Sequence, residues 1–286
     1  MIMRALVCSG GGALGAYILG VLQKTMLDEE RDYEIMCGVS VGNLIVAAMA
    51  QEPLGKPKEA FKRAQQLFLD VPGNKGIYEE WPYHPVSVIG KDSIYSTKPL
   101  RQRIAANLDE KLVRASGREL RLGAVSWETG EYHSFTQNDP HLVDIIYASS
   151  AFPMMFEEGY IDGEQWADGG LRTITPLADA IRAGATEIDV VMASNPYLIP
   201  KWDPAHKNLV DRMMRMLAIV FSQIMIDDLE SAGYNNDLAT FTNPDVKVRL
   251  QMPSTTLDGF DSLDFDPKKR DALMKIGLKE AYAENF

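Results

Sequence analysis

Three glycine-rich motifs follow one another along this chain, and each comes directly after a short apolar segment. They are Gly10-Gly11-Gly12, Gly38-Val39-Ser40-Val41-Gly42 and Asp168-Gly169-Gly170. The first two are followed by segments with helical apolar spacing, so each predicts a turn between a strand and a helix. Turns at the carboxyl ends of parallel strands collect at one edge of a sheet, where ligands bind. We therefore expect the three motifs to share one sheet edge.

The spacing of apolar residues along the rest of the chain predicts an α/β protein. Strands are predicted at 5–8, 33–37, 120–127, 131–136, 165–167, 187–193 and 246–251. Helices are predicted at 13–27, 44–49, 57–69, 100–108, 141–149, 177–183, 208–230 and 268–282. This alternation favours a mainly parallel sheet with helices on both faces. No linker or repeat interrupts it, so we expect one domain over residues 1–286.

Charge and cysteine content restrict the partners and the compartment. The net charge of −11 argues against a nucleic-acid partner, which would require a basic surface. The longest apolar stretch, 213–226, is interrupted by polar residues and is shorter than a membrane span. Cys8 and Cys37 are expected to be buried thiols, with a disulfide as the less favoured alternative. We therefore expect a cytoplasmic protein without a transmembrane segment, with peripheral membrane association as an option.

Ser40 is the candidate nucleophile. In a Gly-x-Ser-x-Gly turn the flanking glycines, Gly38 and Gly42, leave room for a strained backbone that projects the hydroxyl above the sheet. A following helix directs its amino terminus at that oxygen, which favours negative charge there. The alternative interpretation is a tight turn in which the serine only caps the helix.

The first motif predicts an anion-binding loop. Consecutive glycines let backbone N–H groups approach an anion closely, and in an acyl hydrolase that anion is the oxyanion of the tetrahedral intermediate. The expected donors are the N–H groups of Gly10, Gly11, Gly12 and Val41. The stretch from Gly10 to Gly15 also satisfies the Gly-x-Gly-x-x-Gly spacing of a dinucleotide site, for which Asp32 or Glu34 would be the ribose-binding acid.

Asp168 is the candidate general base, although its ordinary pKa of ~3.9 would make it a weak one unless it were desolvated. The alternative interpretation is a turn aspartate that caps the segment beginning with Gly169 and Gly170. Among the histidines, only His206 follows Asp168 in the order that a Ser-Asp-His triad would require. No cluster has metal-ligand spacing, and no cofactor is implied.

Together these motifs resemble those of the patatin-like phospholipases, a family of serine lipid acyl hydrolases. The resemblance runs in order from residue 5 to residue 176 and includes 148–153, which is similar to the segment before the family's aspartate strand. It implies a three-layer α/β/α sandwich, a Ser40–Asp168 dyad and chemistry without a metal. One departure is Leu14, because many members carry arginine or lysine there, and this weakens the expectation of a phospholipid substrate.

The function expected from the sequence is hydrolysis of lipid carboxylic esters at a membrane or micelle interface through an acyl-enzyme intermediate. Phospholipase A and lysophospholipase activities are the main candidates. A soluble carboxylesterase or thioesterase and a non-catalytic nucleotide-binding module are the alternatives. A methionine-rich helix at 208–230 is most simply explained by core packing, with a pliable wall of the lipid channel or a lid as the functional alternative. The proline- and aromatic-rich segment 71–97 is a second lid candidate.

Overall fold

A computed structural model of the chain describes residues 2–82, 91–201, 209–235, 240–242 and 245–282. Its strands are β1 (Arg4–Cys8), β2 (Ile35–Val39), β3 (Glu79–Glu80), β4 (Tyr95–Ser96), β5 (Glu119–Ser126), β6 (Tyr132–Phe135), β7 (Gly159–Ile161), β8 (Glu164–Asp168), β9 (Glu187–Val191), β10 (Tyr234–Asn235), β11 (Thr240–Phe241) and β12 (Lys247–Gln251). Its α-helices are α1 (Gly15–Leu22), α2 (Val41–Met49), α3 (Pro57–Leu69), α4 (Lys98–Asn107), α5 (Glu110–Ala115), α6 (Leu142–Ser149), α7 (Leu177–Arg182), α8 (Leu209–Ser231) and α9 (Pro267–Glu280).

The central sheet has the strand order β12-β9-β1-β2-β5-β8-β7, and β6 also pairs with β5. The pairs from β12 to β5 are parallel, whereas β5–β6, β5–β8 and β7–β8 are antiparallel. The carboxyl ends of β1 and β2 therefore lie at the same edge, as predicted. The turns after these two strands carry the first and second glycine motifs.

Helices cover both faces of the sheet and form a three-layer α/β/α sandwich. Side chains alternate along β1, so that Leu6 and Cys8 face one layer while Ala5 and Val7 face the other. The first layer contains α1, α2, α3, α4, α6 and α9, and the second contains α7 and α8. The predicted fold class is confirmed. Both cysteines are free and buried, so the disulfide alternative is wrong.

The strand that ends in Asp168 runs opposite to its predicted direction. We expected all three motifs to follow parallel strands, but β8 is antiparallel to β5. A hairpin causes this reversal, since β7 and β8 are joined by Asp162 and Gly163, whose φ values of 52° and 86° are both positive. Neither β7 nor this turn was predicted.

The register of the sheet still brings Asp168 to the motif edge. Val39 lies opposite Gly123 of β5, and Asp168 lies opposite the next residue, Ala124. Asp168 is therefore nearly level with Val39, which immediately precedes Ser40. The third motif reaches the site through this register and not through the end of a parallel strand.

Candidate active site

Ser40 occupies a strained turn between β2 and α2. Its φ and ψ angles are 56° and −125°, a combination that is unfavourable for a residue with a side chain. Its N–H donates to Oγ of buried Ser149 at 2.8 Å, and its carbonyl accepts from the Asn43 N–H at 3.0 Å. These bonds hold the turn from both sides and leave the half-buried side chain of Ser40 facing a cavity.

The glycines on either side of Ser40 allow close backbone contacts. A Cβ atom on Gly42 would lie 2.2 Å from the carbonyl oxygen of Cys8, and one on Gly38 would lie 2.5 Å from the carbonyl carbon of Gly42. Both distances are far below van der Waals contact. Glycine is therefore required at both positions for α2 to pack against the ends of β1 and β2.

Replacing Gly42 by alanine is expected to lower the free energy of unfolding by about 3 kcal/mol, because a buried methyl group would collide with backbone. Urea denaturation followed by circular dichroism measures the change. Gly55→Ala is the matched control, since Gly55 has a φ of 91° and open space around it. That control is expected to lose only about 1 kcal/mol. Equal losses in the two variants would contradict the role given to Gly42.

The first glycine motif differs from expectation at Gly10. Its N–H donates to the carbonyl of Ile174 at 2.9 Å, so this N–H is occupied and is not free to donate to an oxyanion in the structure. A Cβ atom on Gly10 would lie 3.4 Å from Cβ of Ser40, which places the loop directly against the nucleophile candidate. Gly10 therefore anchors the loop at the site.

The N–H groups of Gly11, Gly12 and Val41 have no acceptor among the described residues, and these three residues line the cavities next to Ser40. Gly12 begins a 3₁₀ turn, Gly12–Leu14, and Val41 begins α2, so neither N–H has an acceptor within its helix. The next motif glycine, Gly15, packs against Val41, since a Cβ atom there would lie 2.6 Å from Cγ2 of Val41.

Asp168 ends β8 and is almost completely buried, with 5% of its surface exposed. Burial raises the pKa of its carboxyl to about 6, while the Gly170 N–H and the Ser40 hydroxyl act in the opposite direction by stabilising the charged form. The Gly170 N–H donates to Oδ1 at 2.8 Å. Gly169 lets this turn lie against β5, because a Cβ atom there would be 2.7 Å from the carbonyl oxygen of Gly123.

The stretch at 148–153 contacts both candidate residues. Ser149 accepts the Ser40 N–H, as described above, and the carbonyl of Ala151 accepts the Asp168 N–H at 3.1 Å. This segment therefore fixes the backbone of the nucleophile candidate relative to that of the base candidate.

Asp228, which the sequence analysis did not single out, holds the backbone segment that contacts Gly10. Its Oδ2 accepts the N–H groups of Ile174 and Thr175, each at 2.8 Å, and Ile174 in turn holds Gly10. Burial raises the pKa of Asp228 to about 7 despite these two bonds. A signal was present in the sequence, because Asp228 lies between Met225 and Leu229 on the buried face of a long helix.

The acids needed for the dinucleotide alternative lie elsewhere. Asp32 and Glu34 precede β2 and are therefore at the opposite edge of the sheet from the glycine loop. Asp32 binds the buried guanidinium of Arg118 at 2.6 Å, and Glu34 accepts the Arg4 N–H at 2.8 Å. Neither can reach a ribose at Gly10–Gly15. His206, the triad alternative, lies outside the described residues.

Two cavities meet at Ser40. One, of about 90 Å³, follows α2 and is bounded by α3 and α4. The other, of about 290 Å³, contains Asp168 and the glycine loop and has α8 as a wall. They share Gly12, Ser40, Ser150, Phe156 and Phe265. We call them the α2 chamber and the Asp168 chamber.

Within the described ranges, no helix has both the length and the apolar character needed to cross a membrane. In the same residues, no group of three histidine, cysteine or acidic side chains is arranged to hold a metal ion. The inner face of α8, including Met214, Leu217 and Phe221, lines the Asp168 chamber, so this helix is a cavity wall. Of the second lid candidate, residues 83–90 lie outside the described part.

Two known proteins are similar to this chain in sequence or in structure. A protein of Escherichia coli (strain K12), "Uncharacterized protein YjjU", is 27% identical over 207 residues, which are 69% of this chain and 54% of that protein. VipD from Legionella pneumophila matches in structure with a TM-score of 0.47 and 14% identity, over 98% of this chain and 66% of that one. The chain thus spans about half the length of the Escherichia coli relative and about two thirds of the VipD chain.

A family model described as patatin-like phospholipase matches residues 6–181, well over half of the chain. The matched region begins within β1 and ends within α7, so it contains all three glycine motifs. The chain belongs to the patatin-like phospholipase family.

Proposed function

We propose that this chain is a serine acyl hydrolase that cleaves carboxylic esters of lipids, the type of reaction that phospholipases A and lysophospholipases carry out. The observation that carries the proposal is the pairing of Ser40, in a strained and accessible turn, with Asp168, a buried carboxyl whose pKa is raised to about 6. Both line one cavity together with Gly11 and Gly12, whose N–H groups have no acceptor within the part of the chain that the structure describes. Strain and a shifted pKa at one cavity are typical of active sites.

In the first half of the proposed reaction, Ser40 Oγ attacks the ester carbonyl carbon and Asp168 accepts the hydroxyl proton. The N–H groups of Gly11, Gly12 and Val41 stabilise the oxyanion, and losing one such donor typically costs about 3–4 kcal/mol of transition-state stabilisation. The tetrahedral intermediate then collapses as the bond between the carbonyl carbon and the leaving oxygen breaks. Asp168 gives its proton to that oxygen, which departs as an alcohol.

In the second half, water attacks the acyl-serine and Asp168 accepts a proton from it. The intermediate collapses to the free fatty acid, and the proton returns to Ser40. One carboxyl thus serves as base and acid in both halves, which requires a pKa close to the working pH. Burial supplies that pKa by disfavouring the charged form.

Apolar surface around the site supports a lipid substrate. Both chambers are lined mainly by apolar side chains, as expected for sites that hold hydrocarbon. The outer face of α8 also exposes Leu209, Met216, Ile219 and Val220, with 82%, 55%, 50% and 46% of their surfaces accessible. A helix that lines the cavity on one side and exposes this apolar set on the other suits a protein that works at a lipid interface.

The test is covalent labelling with a fluorophosphonate probe followed by peptide mapping. A single label on Ser40, lost in the Ser40→Ala variant, is the expected result, because only an activated serine reacts with the probe. A folded protein that stays unlabelled, or a label on another serine, would refute the proposal.

Interfacial activation separates a lipid hydrolase from a soluble esterase. The rate of hydrolysis of a medium-chain ester is expected to rise several-fold as the substrate concentration passes the critical micelle concentration. The reason is that micelles present a lipid surface to which the exposed apolar face of α8 can bind. A rate that saturates below that concentration and does not change above it would favour the esterase alternative.

A further inference from the structure

Ile174, which follows the third glycine motif, contacts the first motif as well. Its carbonyl accepts the Gly10 N–H at 2.9 Å. Its side chain lies against both motifs, because a Cβ atom on Gly10 would be 3.6 Å from Cγ2 of Ile174 and one on Gly170 would be 3.5 Å from Cγ1. The Gly170 N–H in turn donates to Asp168. Ile174 therefore lies between the glycine loop and the turn that holds the base candidate.

Asp228 of α8 fixes the backbone at this point. Its Oδ2 accepts the N–H groups of Ile174 and Thr175, each at 2.8 Å. Ile174 and Thr175 are only 5% and 1% exposed, so bulk water has little access to replace the carboxylate as their acceptor. One carboxylate oxygen thus holds two successive peptide groups.

The peptide group between Ile174 and Thr175 links Asp228 to the glycine loop. In a planar trans peptide the C=O and the N–H point in opposite directions. Asp228 binds the N–H of this peptide, and the C=O on its other side accepts the Gly10 N–H. Two hydrogen bonds and one rigid peptide group therefore connect α8 to the first motif.

The surroundings of Asp228 disfavour its charge. Burial raises its pKa to about 7, and the nearby carboxylates of Asp227 and Asp179 act in the same direction. The N–H groups of Ile174 and Thr175 act against this by stabilising the charged form. The contacts that favour a carboxylate here are thus the same ones that hold the peptide next to the loop. An acid kept where its charge is disfavoured is typical of functional sites.

We propose that Asp228 is a positioning residue, which holds the glycine loop in the place beside Ser40 where its N–H groups can bind the oxyanion. This inference rests on the proposed function and adds to it a residue beyond 6–181, the region that the family model matches. The donors of the loop directly follow Gly10, so a displacement of Gly10 moves them. Because oxyanion contacts form in the transition state, their misplacement lowers kcat and leaves KM nearly unchanged.

The test measures kcat and KM for a fluorogenic ester with variants of α8 in this chain. Asp228→Ala removes the acceptor and is expected to lower kcat about 10²-fold while KM stays within about twofold. Asp228→Asn keeps an oxygen that can accept both N–H groups, so its kcat is expected to stay within about fivefold of the wild type.

Asp227→Ala is the matched control. It removes the same charge one residue away, from an exposed side chain that accepts a hydrogen bond from Gln223 of the same helix at 2.8 Å. Its kcat is expected to stay within about twofold of the wild type. If Asp228→Ala does not fold, Asp228→Glu takes its place, because it keeps the charge but displaces the acceptor by one methylene. Its kcat is expected to fall at least about tenfold, again with KM unchanged.

Hydrogen exchange at the Gly10 amide, followed by NMR, tests the link without a substrate. Exchange is measured relative to the amides of β1, which report on unfolding of the sheet. It is expected to be at least about tenfold faster in Asp228→Ala, or in Asp228→Glu in its place, than in Asp227→Ala, because the bond from Gly10 to Ile174 is weakened.

Several results would overturn the inference. Equal kcat in Asp228→Ala and Asp227→Ala would do so, as would a loss that appears in KM and not in kcat. A loss in Asp228→Asn as large as that in Asp228→Ala would show that charge, and not hydrogen bonding, is what matters. A folded wild-type protein that neither hydrolyses the ester nor labels at Ser40 would refute the proposed function itself. Exchange at Gly10 would then decide the inference alone, and equal protection in the Asp228 and Asp227 variants would overturn it.

Discussion

Ser40→Ala is expected to lower kcat for ester hydrolysis by about 10⁴-fold or more, because loss of a nucleophile removes the covalent route altogether. Ser40→Gly is expected to be equally inactive but more stable than Ser40→Ala by about 1 kcal/mol. The reason is the backbone conformation at this position. A φ of 56° with a ψ of −125° is unfavourable for alanine and for serine, whereas glycine adopts it without strain. We expect this combination, in which both variants lose activity and the glycine variant is the more stable, if the backbone at Ser40 is strained.

The measurements are initial rates with a fluorogenic ester and urea unfolding of both variants. Thr129→Ala is the control for removing a hydroxyl, since Thr129 is exposed in the turn between β5 and β6, and its rate is expected to stay within about twofold of the wild type. Residual activity of Ser40→Ala near the wild-type level would eliminate Ser40 as the nucleophile. Equal stability of the alanine and glycine variants would show that the turn is relaxed in solution.

Local signals made the first two motifs predictable. The strand, glycine turn and helix around Ser40 are contiguous in sequence, so apolar spacing and glycine positions predict them without knowledge of the rest of the chain. The same holds for α3, whose predicted bounds of 57–69 are those observed. Parallel pairing of β1 with β2 then brings the two turns to one edge.

The direction of β8 was predicted wrongly because it depends on a hairpin whose first strand has only three residues, Gly159–Ile161. Asp162-Gly163 between two short strands is a recognised signal for a two-residue turn, and reading it would have reversed the predicted direction. The presence of Asp168 at the site nevertheless depends on register with β5, a long-range property that the local pattern does not contain.

The hydrogen bond that occupies the Gly10 N–H was not predicted, for a similar reason. Gly10 and Ile174 are far apart in sequence, and the peptide that receives the Gly10 N–H is itself fixed by Asp228 on α8. A run of glycines predicts that N–H groups are accessible, but tertiary contacts decide which of them remain free. The set of N–H groups available for the proposed oxyanion hole is accordingly smaller than the motif suggests.

Asp168→Asn is expected to lower kcat by at least about 10³-fold and to make the protein more stable at alkaline pH. Asparagine keeps the size of the side chain and an oxygen that can accept the Gly170 N–H, but it cannot take the Ser40 proton. The pKa of Asp168 is about 6 when folded, against 3.8 for the unperturbed group, so the folded state binds a proton more tightly than the unfolded state. The stability that this proton confers is present below about pH 4 and is lost as the pH rises through 6.

At pH 8 the wild-type protein therefore holds a buried carboxylate at a cost of up to about 3 kcal/mol, which Asp168→Asn removes. Urea unfolding is expected to show the variant gaining stability at pH 8 and little or none at pH 4. Glu128→Gln, at an exposed position in the turn between β5 and β6, controls for the loss of one negative charge and is expected to show no such difference between the two pH values.

The same ionisation sets the pH dependence of the wild-type rate. Because Asp168 must be charged to accept the serine proton, kcat/KM is expected to fall about tenfold per pH unit below pH 6 and to level off above it. A rate profile with its midpoint near pH 4 would mean that Asp168 is solvated in solution. A variant that loses stability at pH 8 would mean that the carboxylate makes favourable contacts that outweigh its burial, and either result would remove the basis for Asp168 as the base.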